Sequence, residues 1–201
     1  MGGSILNFVL ANDNFQLGEL KVENKPIYVE TRPLLSADGT LGPDILRDYD
    51  VEIDVPQASV NLFAPGFCAA PEWTGSAVLA IDPNASGHVR FPVKVDGNTV
   101  MAVLDTGSAI SLISMRAAAL LGVYPNSPGL KQMADTGQYR IYAYPFQTLE
   151  LGSATVKNPQ IAIASDGLIP GNDLVLGIDA VRQMRLTIAY GSRRLYIRAP
   201  P

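Results

Sequence analysis

The residues best suited to chemistry lie between positions 100 and 113. There Val100-Met101-Ala102-Val103-Leu104 reads as an apolar strand that runs into Asp105-Thr106-Gly107-Ser108 and out through Ala109-Ile110-Ser111-Leu112-Ile113. A carboxylate at a strand end, with a glycine two positions later, can sit in a tight turn where backbone N–H groups and a nearby hydroxyl bond it and fix its direction. Thr106 and Ser108 supply hydroxyls on either side of the glycine. The same triplet recurs at Asp135-Thr136-Gly137, but it follows Leu130-Lys131-Gln132-Met133-Ala134 rather than an apolar strand. Asp135 lies 30 positions after Asp105, within the same lobe, so the second triplet reads as an Asx-type turn and not as a partner carboxylate.

Other reactive side chains carry less. His88 reads as a strand-edge residue, because no Ser or Cys nucleophile motif accompanies it. Cys68 is the single cysteine, which excludes an intrachain disulfide, and one thiol with one histidine cannot form a tetrahedral zinc site of the usual kind. Cys68 therefore reads as a small buried apolar side chain. Asp44 and Asp179 each follow a glycine ahead of a short helix and read as N-caps. Asn84-Ala85-Ser86 matches a glycosylation sequon, but with no export signal beside it the match carries no weight.

The elements that position Asp105 are mostly strands. His88–Val95 and Thr99–Leu104 flank Asp96-Gly97, a strong hairpin signal. Ile110–Ile113 reads as a strand, and Met115–Leu121 as a short alanine-rich helix ended by Gly122. After a polar, proline-rich stretch come strands at Arg140–Leu151 and Thr155–Ala164, and a buried Leu174-Val175-Leu176-Gly177. A short helix near Asp179–Gln183 and a hairpin through Gly191-Ser192 complete the pattern. Fifteen prolines and eighteen glycines spread along 201 residues fit many turns between short strands, and hence an all-β fold. A formal charge of −4, without a Lys/Arg cluster, excludes the electrostatic footprint of a nucleic-acid or anionic-membrane binder. No apolar run reaches the roughly 20 residues of a membrane span. Met1-Gly2-Gly3-Ser4 lacks the basic start and apolar core of a signal peptide, and Leu6 breaks the myristoylation pattern, so the opening reads as an expression scar or an internal start.

The segment Val103–Ile110 resembles the signature of the retropepsin and pepsin aspartic proteases: an apolar pair, Asp-Thr-Gly, Ser or Ala, then apolar residues. Leu174-Val175-Leu176-Gly177-Ile178-Asp179 resembles the family's second hallmark, an apolar-apolar-Gly segment before a short helix. The resemblance spans about His88 to Ile197 and implies a retropepsin-like closed β-barrel lobe with short helices. It implies that Asp105 is one catalytic carboxylate of a pair, that Thr106 braces the facing loop, that Gly107 makes the turn and that Ser108 hydrogen-bonds the carboxylate. It also matches the Asp135 segment to the flap, the hairpin that closes over substrate, with Gly137 and Tyr139 in it. Two carboxylates about 3 Å apart share one proton, so one acts as base toward a water while the other acts as acid toward the peptide carbonyl. The implied activity is that of an aspartic endopeptidase acting on an extended polypeptide, with no metal and no organic cofactor. Its bacterial two-repeat relatives imply an exported or periplasmic setting, which the opening residues do not themselves encode.

The chain also repeats itself. A shift of 135 positions carries Leu41-Gly42-Pro43-Asp44 onto Leu176-Gly177-Ile178-Asp179, Arg47 onto Arg182, Val51 onto Leu186, Ile53 onto Ile188, Val60 onto Leu195 and Leu62 onto Ile197. A shift of 134 carries Leu17-Gly18 onto Leu151-Gly152, Val22 onto Val156, Asn24 onto Asn158 and Ile27 onto Ile161. The expected organisation is therefore a partial copy at 1–63 that lacks its Asp-Thr-Gly half, a connector at 64–85 packed through Phe67 and Trp73, and a complete lobe at 86–201. The second aspartate must then come either from a further lobe ahead of this chain or from Asp105 of a second chain in a homodimer. A different class of protein would keep the lobe and its groove without a pair of carboxylates, as a catalytically silent peptide-binding or assembly module.

Overall fold

The structure is a computed structural model, and it describes residues 8–12, 15–23, 25–29, 39–67, 76–82, 87–165, 167–169 and 171–198. The expectations for Met1–Ser4, Leu6, Cys68, Trp73 and the Asn84–Ser86 sequon lie outside these residues. The chain divides into two compact units, Met1–Leu46 and Arg47–Pro201. In the first, β1 (Phe8–Asn12), β2 (Phe15–Leu17), β3 (Leu20–Val22) and β4 (Lys25–Val29) precede α1 (Pro43–Leu46). There β1 pairs antiparallel with β4, and β2 with β3.

The larger unit begins with β5 (Asp50–Asp54), β6 (Ser59–Phe63) and β7 (Ala77–Ala80). The hairpin of β8 (Arg90–Val95) and β9 (Asn98–Leu104) follows. Asp96 and Gly97 connect its strands at φ 48° and 79°, the left-handed pair that a two-residue turn needs to match strand twist. The Asp96 carboxylate also accepts the N–H groups of Gln147 and Thr148, both at 2.8 Å. Then come β10 (Ser111–Ser114) and α2 (Met115–Leu120), whose N-cap is Ser114; its hydroxyl accepts the Ala117 N–H at 3.1 Å. Gly122, at φ 80°, ends this helix as expected.

The remaining elements are β11 (Lys131–Asp135), β12 (Arg140–Ala143), β13 (Thr148–Leu151), β14 (Ala154–Lys157), β15 (Ile161–Ala164), β16 (Leu174–Leu176), α3 (Ile178–Val181), β17 (Arg185–Ala189) and β18 (Arg194–Arg198). Two strands expected to be continuous are each broken in two, one between Ala143 and Thr148 and the other between Lys157 and Ile161. Pro145 and Pro159 occupy those breaks, and proline cannot donate to a ladder. The pattern of residues does not mark β11 as a strand, because it is exposed throughout and shows no apolar alternation; only the resemblance, which implies a flap hairpin at the Asp135 segment, points to it.

Nine strands form one sheet in the order β11-β12-β15-β10-β16-β9-β8-β13-β14. This order is open, and no pairing among the described strands joins β11 to β14 to close it as the expected barrel would require. Its inner face carries Phe91, Ile113, Leu149, Leu151, Ile163 and Leu174, all fully buried. The burial of about six such side chains, at roughly 1.5–3 kcal/mol each, is what anchors the strands near Asp105. A second, five-stranded sheet runs β6-β5-β17-β18-β7. Its central pair is antiparallel, with Glu52 facing Thr187.

Candidate active site

Asp105 is the first residue beyond β9, and the topology around it is specific. Strand β16 lies between β9 and β10, parallel to β9 and antiparallel to β10. The chain therefore leaves β9, turns through Asp105–Ile110 over the end of β16, and re-enters the sheet on the far side as β10. Such a turn needs something beneath it, and the end of β16 supplies it. The Asp105 N–H donates to Leu176 O at 3.0 Å, and the Ile178 N–H donates to Ser108 O at 2.9 Å.

Gly177 makes that approach possible. A β-carbon there would fall 2.6 Å from both the carbonyl carbon and oxygen of Ile110, and 2.9 Å from Ser108 O. Only a residue without a side chain fits so close to another backbone. The contact is locked by Ser111, which is fully buried. Its hydroxyl accepts the Gly177 N–H at 3.0 Å and donates to Asp179 Oδ1 at 2.7 Å, while its own N–H donates to Asp179 Oδ2 at 3.0 Å. Asp179 also accepts the Ala180 N–H at 2.8 Å. The N-cap of α3 is Gly177, so Asp179 is not the cap expected from its position; it is a brace between α3 and β10. Sequence reasoning passed over Ser111, whose one signal was a polar residue within the apolar run after the turn.

The turn itself is exposed at Asp105, Thr106 and Gly107. The Gly107 N–H donates to Asp105 Oδ1 at 3.0 Å, which fixes one carboxylate oxygen. Gly107 does not have a positive φ; what its lack of a side chain provides is room, since a β-carbon would lie 3.3 Å from that same oxygen. The Ser108 hydroxyl donates to Ile110 O at 2.8 Å, so it closes the turn on itself instead of holding the carboxylate as the resemblance implied. The Asp105 carboxylate thus faces outward from a turn held rigidly at its back.

The second triplet occupies a different place. Strands β11 and β12 pair antiparallel, with Asp135 facing Arg140, and Thr136–Tyr139 forms the tip of that hairpin. The Thr136 N–H donates to Tyr139 O at 3.0 Å and the Tyr139 N–H to Thr136 Oγ1 at 3.0 Å. Gly137 sits at φ 79° in open space, and its N–H donates to Asp135 Oδ1 at 2.8 Å. Arg140 Nε donates to Asp135 Oδ2 at 2.9 Å. The Gly137 N–H, and after it the Arg140 guanidinium, hold the Asp135 carboxyl below the usual aspartate value. The two triplets therefore share one local hydrogen bond, from the glycine N–H to the aspartate two positions earlier, while their glycines differ in φ; Asp135 is spent on its own hairpin, whereas Asp105 projects from the middle of a sheet.

A cavity of about 660 Å³ opens between these parts, lined by Ile110 from the Asp105 turn, Met133 and Ile141 from the hairpin, and Phe146, Pro159 and Ile161 beyond. It is predominantly apolar and lies on the same side of β10 as the hairpin base. No group of His, Cys, Asp and Glu side chains suited to a metal ion occurs among the described residues. Nor is any helix there long and apolar enough to cross a membrane.

Residues 91–180 match the sequence model of the aspartyl protease family. No curated protein matches the chain. Among solved structures, the aspartic proteinase from Irpex lacteus is 14% identical, with a TM-score of 0.53 over 92% of this chain and 75% of that one. A retropepsin-like aspartic protease from Rickettsia conorii is 17% identical, with a TM-score of 0.48 over 61% of this chain and 90% of that one. The retroviral protease-like domain of Ddi1 from Leishmania major is 19% identical, with a TM-score of 0.40 over 47% of this chain and 77% of that one. Residues 91–180 thus match the aspartyl protease family by sequence, and the chain is similar in fold to an aspartic proteinase.

Proposed function

We propose that this chain is part of an aspartic endopeptidase in which Asp105 supplies one of two catalytic carboxylates, the other coming from a facing lobe. The observation that carries this reading is the Asp105 turn: an exposed carboxylate with one oxygen held by the Gly107 N–H, on a loop braced from behind by Gly177 and Ser111. Such a group is oriented without being neutralised, as a proton-sharing acid and base must be. Set about 3 Å from a second carboxylate, it would keep a single proton between the two. The ionised member then takes a proton from a water as that water attacks the peptide carbonyl. The protonated member donates to the oxyanion that develops. Thr106, Gly107 and Ser108 serve as the supporting loop.

The hairpin of β11 and β12, with Gly137 and Tyr139 at its tip, is the flap in this reading. An extended polypeptide would lie between it and Asp105, and an apolar side chain of that polypeptide would enter the cavity beside Ile110 and Met133. The test is cleavage of a mixed peptide library from about pH 3 to 7, the range in which such a pair holds one proton, with and without an active-site aspartic inhibitor. Cleavage that the inhibitor blocks and Asp105→Asn abolishes would bear the reading out. Cleavage that survives Asp105→Asn would overturn it.

A further inference from the structure

The pairing of β5 with β17 bears on where the second carboxylate comes from. The shift of 135 positions that aligns the two halves of the sequence carries β5, Asp50–Asp54, onto Arg185–Ala189, which is β17, and β6, Ser59–Phe63, onto Arg194–Arg198, which is β18. It carries α1 onto α3, residue for residue. It also carries Ala58, at φ 50°, onto Arg193, at φ 54°, so the two hairpins share the same unusual turn residue. Within each hairpin the register agrees as well: Asp50 faces Phe63, and Arg185 faces Arg198.

These two hairpins meet about a local two-fold axis. Glu52 faces Thr187, and the same shift carries Glu52 onto Thr187. Rotation about that facing pair exchanges β5 with β17 and β6 with β18. In a symmetric dimer of the complete lobe, β17 of one chain would meet β17 of the other in this place. Here the position is filled by the chain's own β5.

The charges favour that arrangement over either symmetric one. Asp50, Glu52 and Asp54 are buried along one side of β5. Arg185 Nε donates to Asp54 Oδ2 at 2.8 Å, and its guanidinium lies 3.8 Å from Glu52. Glu52 also accepts from Asn61 at 2.9 Å, and Asp50 accepts the Gly66 N–H at 2.9 Å. Two copies of β5 paired about the same axis would set Glu52 against Glu52 and Asp50 against Asp54, like charges directly opposed in a buried sheet. Two copies of β17 would set Arg185 against Ala189 and strip it of both carboxylates. Of the three pairings, the mixed one alone sets Arg185 beside Asp54 and Glu52 with no like charges opposed, which is how unlike partners are selected over like ones.

We infer that residues 5–63 belong to a second copy of the lobe, and that the carboxylate facing Asp105 is carried by polypeptide continuous with that copy, not by a second chain. The inference deepens the reading of Asp105 as half of a catalytic pair and rests on it. The same axis indicates how the continuing polypeptide attaches. Strand β7 covers the outer edge of β18, whereas the outer edge of β6 pairs with no described strand and Val60 on it is 57% exposed. The partner that fits this edge is a β7-like strand, leading into an Asp-Thr-Gly unit as β7 leads into β8 and β9.

The test uses cysteine pairs in a Cys68→Ala background under air oxidation. Thr187→Cys removes no hydrogen bond, since Thr187 Oγ1 is buried without a partner. Glu52→Cys combined with Thr187→Cys is expected to form a disulfide within one chain, lowering the intact mass by two hydrogens at unchanged monomer size. Thr187→Cys alone is expected to stay reduced and monomeric. A disulfide-linked dimer from Thr187→Cys alone would overturn the inference, because it requires β17 to meet β17. Should the double variant fail to fold, hydrogen exchange on the unmodified protein decides. Protected amides at Val51, Ile53, Leu186 and Ile188 in a sample that light scattering finds monomeric support the mixed pair. Protection there that appears only in a dimer overturns it. None of these readouts involves cleavage, so a dimer linked through Thr187→Cys would count against this source of the second carboxylate alone, whereas cleavage by the assembled enzyme that survives Asp105→Asn would count against the Asp105 reading.

Discussion

The hydroxyl of Ser111 donates to Asp179 Oδ1 at 2.7 Å across 68 positions of sequence, while accepting the Gly177 N–H on its other side. One buried side chain thus ties β10, the end of β16 and α3 into the platform beneath the Asp105 turn. Ser111→Ala would leave the Gly177 N–H and the Asp179 carboxylate each short of a partner. The expected cost is about 1–3 kcal/mol, the range for orphaning buried polar groups, read as a lowered midpoint in urea denaturation. An unchanged midpoint would mean that the platform is held by packing alone.

Gly177→Ala tests the same platform from below. The added β-carbon would meet backbone atoms of Ile110 and Ser108, which cannot swing aside as a flexible side chain can. A loss of at least about 1–3 kcal/mol is expected from overpacking, seen as a lower thermal midpoint. Gly137→Ala strains a left-handed residue in open space by about 1–2 kcal/mol. Its effect should remain within the hairpin, as faster hydrogen exchange of the β11 and β12 amides with the global midpoint nearly unmoved.

Asp105→Asn separates chemistry from stability. Asp105 is exposed and its carboxylate accepts the Gly107 N–H, which an asparagine oxygen still accepts. Stability should stay within about 0.5 kcal/mol. Peptide cleavage by the assembled enzyme should fall by about 10²- to 10⁴-fold, the usual worth of a general acid–base group. Asp135→Asn, on a carboxylate engaged by Arg140 and Gly137, should keep substantial activity.

The Asp135 carboxyl gives a pH prediction of definite sign. Its folded value is lowered, first by the Gly137 N–H and next by Arg140. The stabilisation that its ionised form lends the hairpin is therefore fully present above the ordinary aspartate value, and it fades as pH falls through the lowered one. Arg140→Gln should move the Asp135 midpoint upward, though not all the way, because the larger cause remains. Carboxyl-carbon NMR titration reads this directly, and a midpoint unmoved by Arg140→Gln would discount the ion pair.

Much of the site was legible in the sequence because its signals are local. An apolar strand, a turn that needs a glycine, and a second apolar strand are written within 14 consecutive residues, Val100–Ile113. Asp96-Gly97 fixed its hairpin for the same reason: two left-handed residues select one turn type wherever they occur. The short helices were also recognisable, from Gly122 and from the alanines of α2. The breaks at Pro145 and Pro159 could have been read from proline's missing donor, and were lost because the flanking apolar residues keep their alternation across the gap.

The sequence by itself therefore determined that Asp105 sits on a strand-to-strand turn, that a buried glycine segment follows at 174–177, and that residues near 41–62 echo those near 176–197. Only the tertiary structure decided that β16 passes between the strands flanking Asp105, that Ser111 and Asp179 meet beneath the turn, and that β5 takes the place opposite β17. The physical reason is one of range. Backbone sterics and alternation act over a few residues and leave their mark in the chain, whereas a serine bonded to an aspartate 68 positions away looks like any serine and any aspartate until packing brings them together.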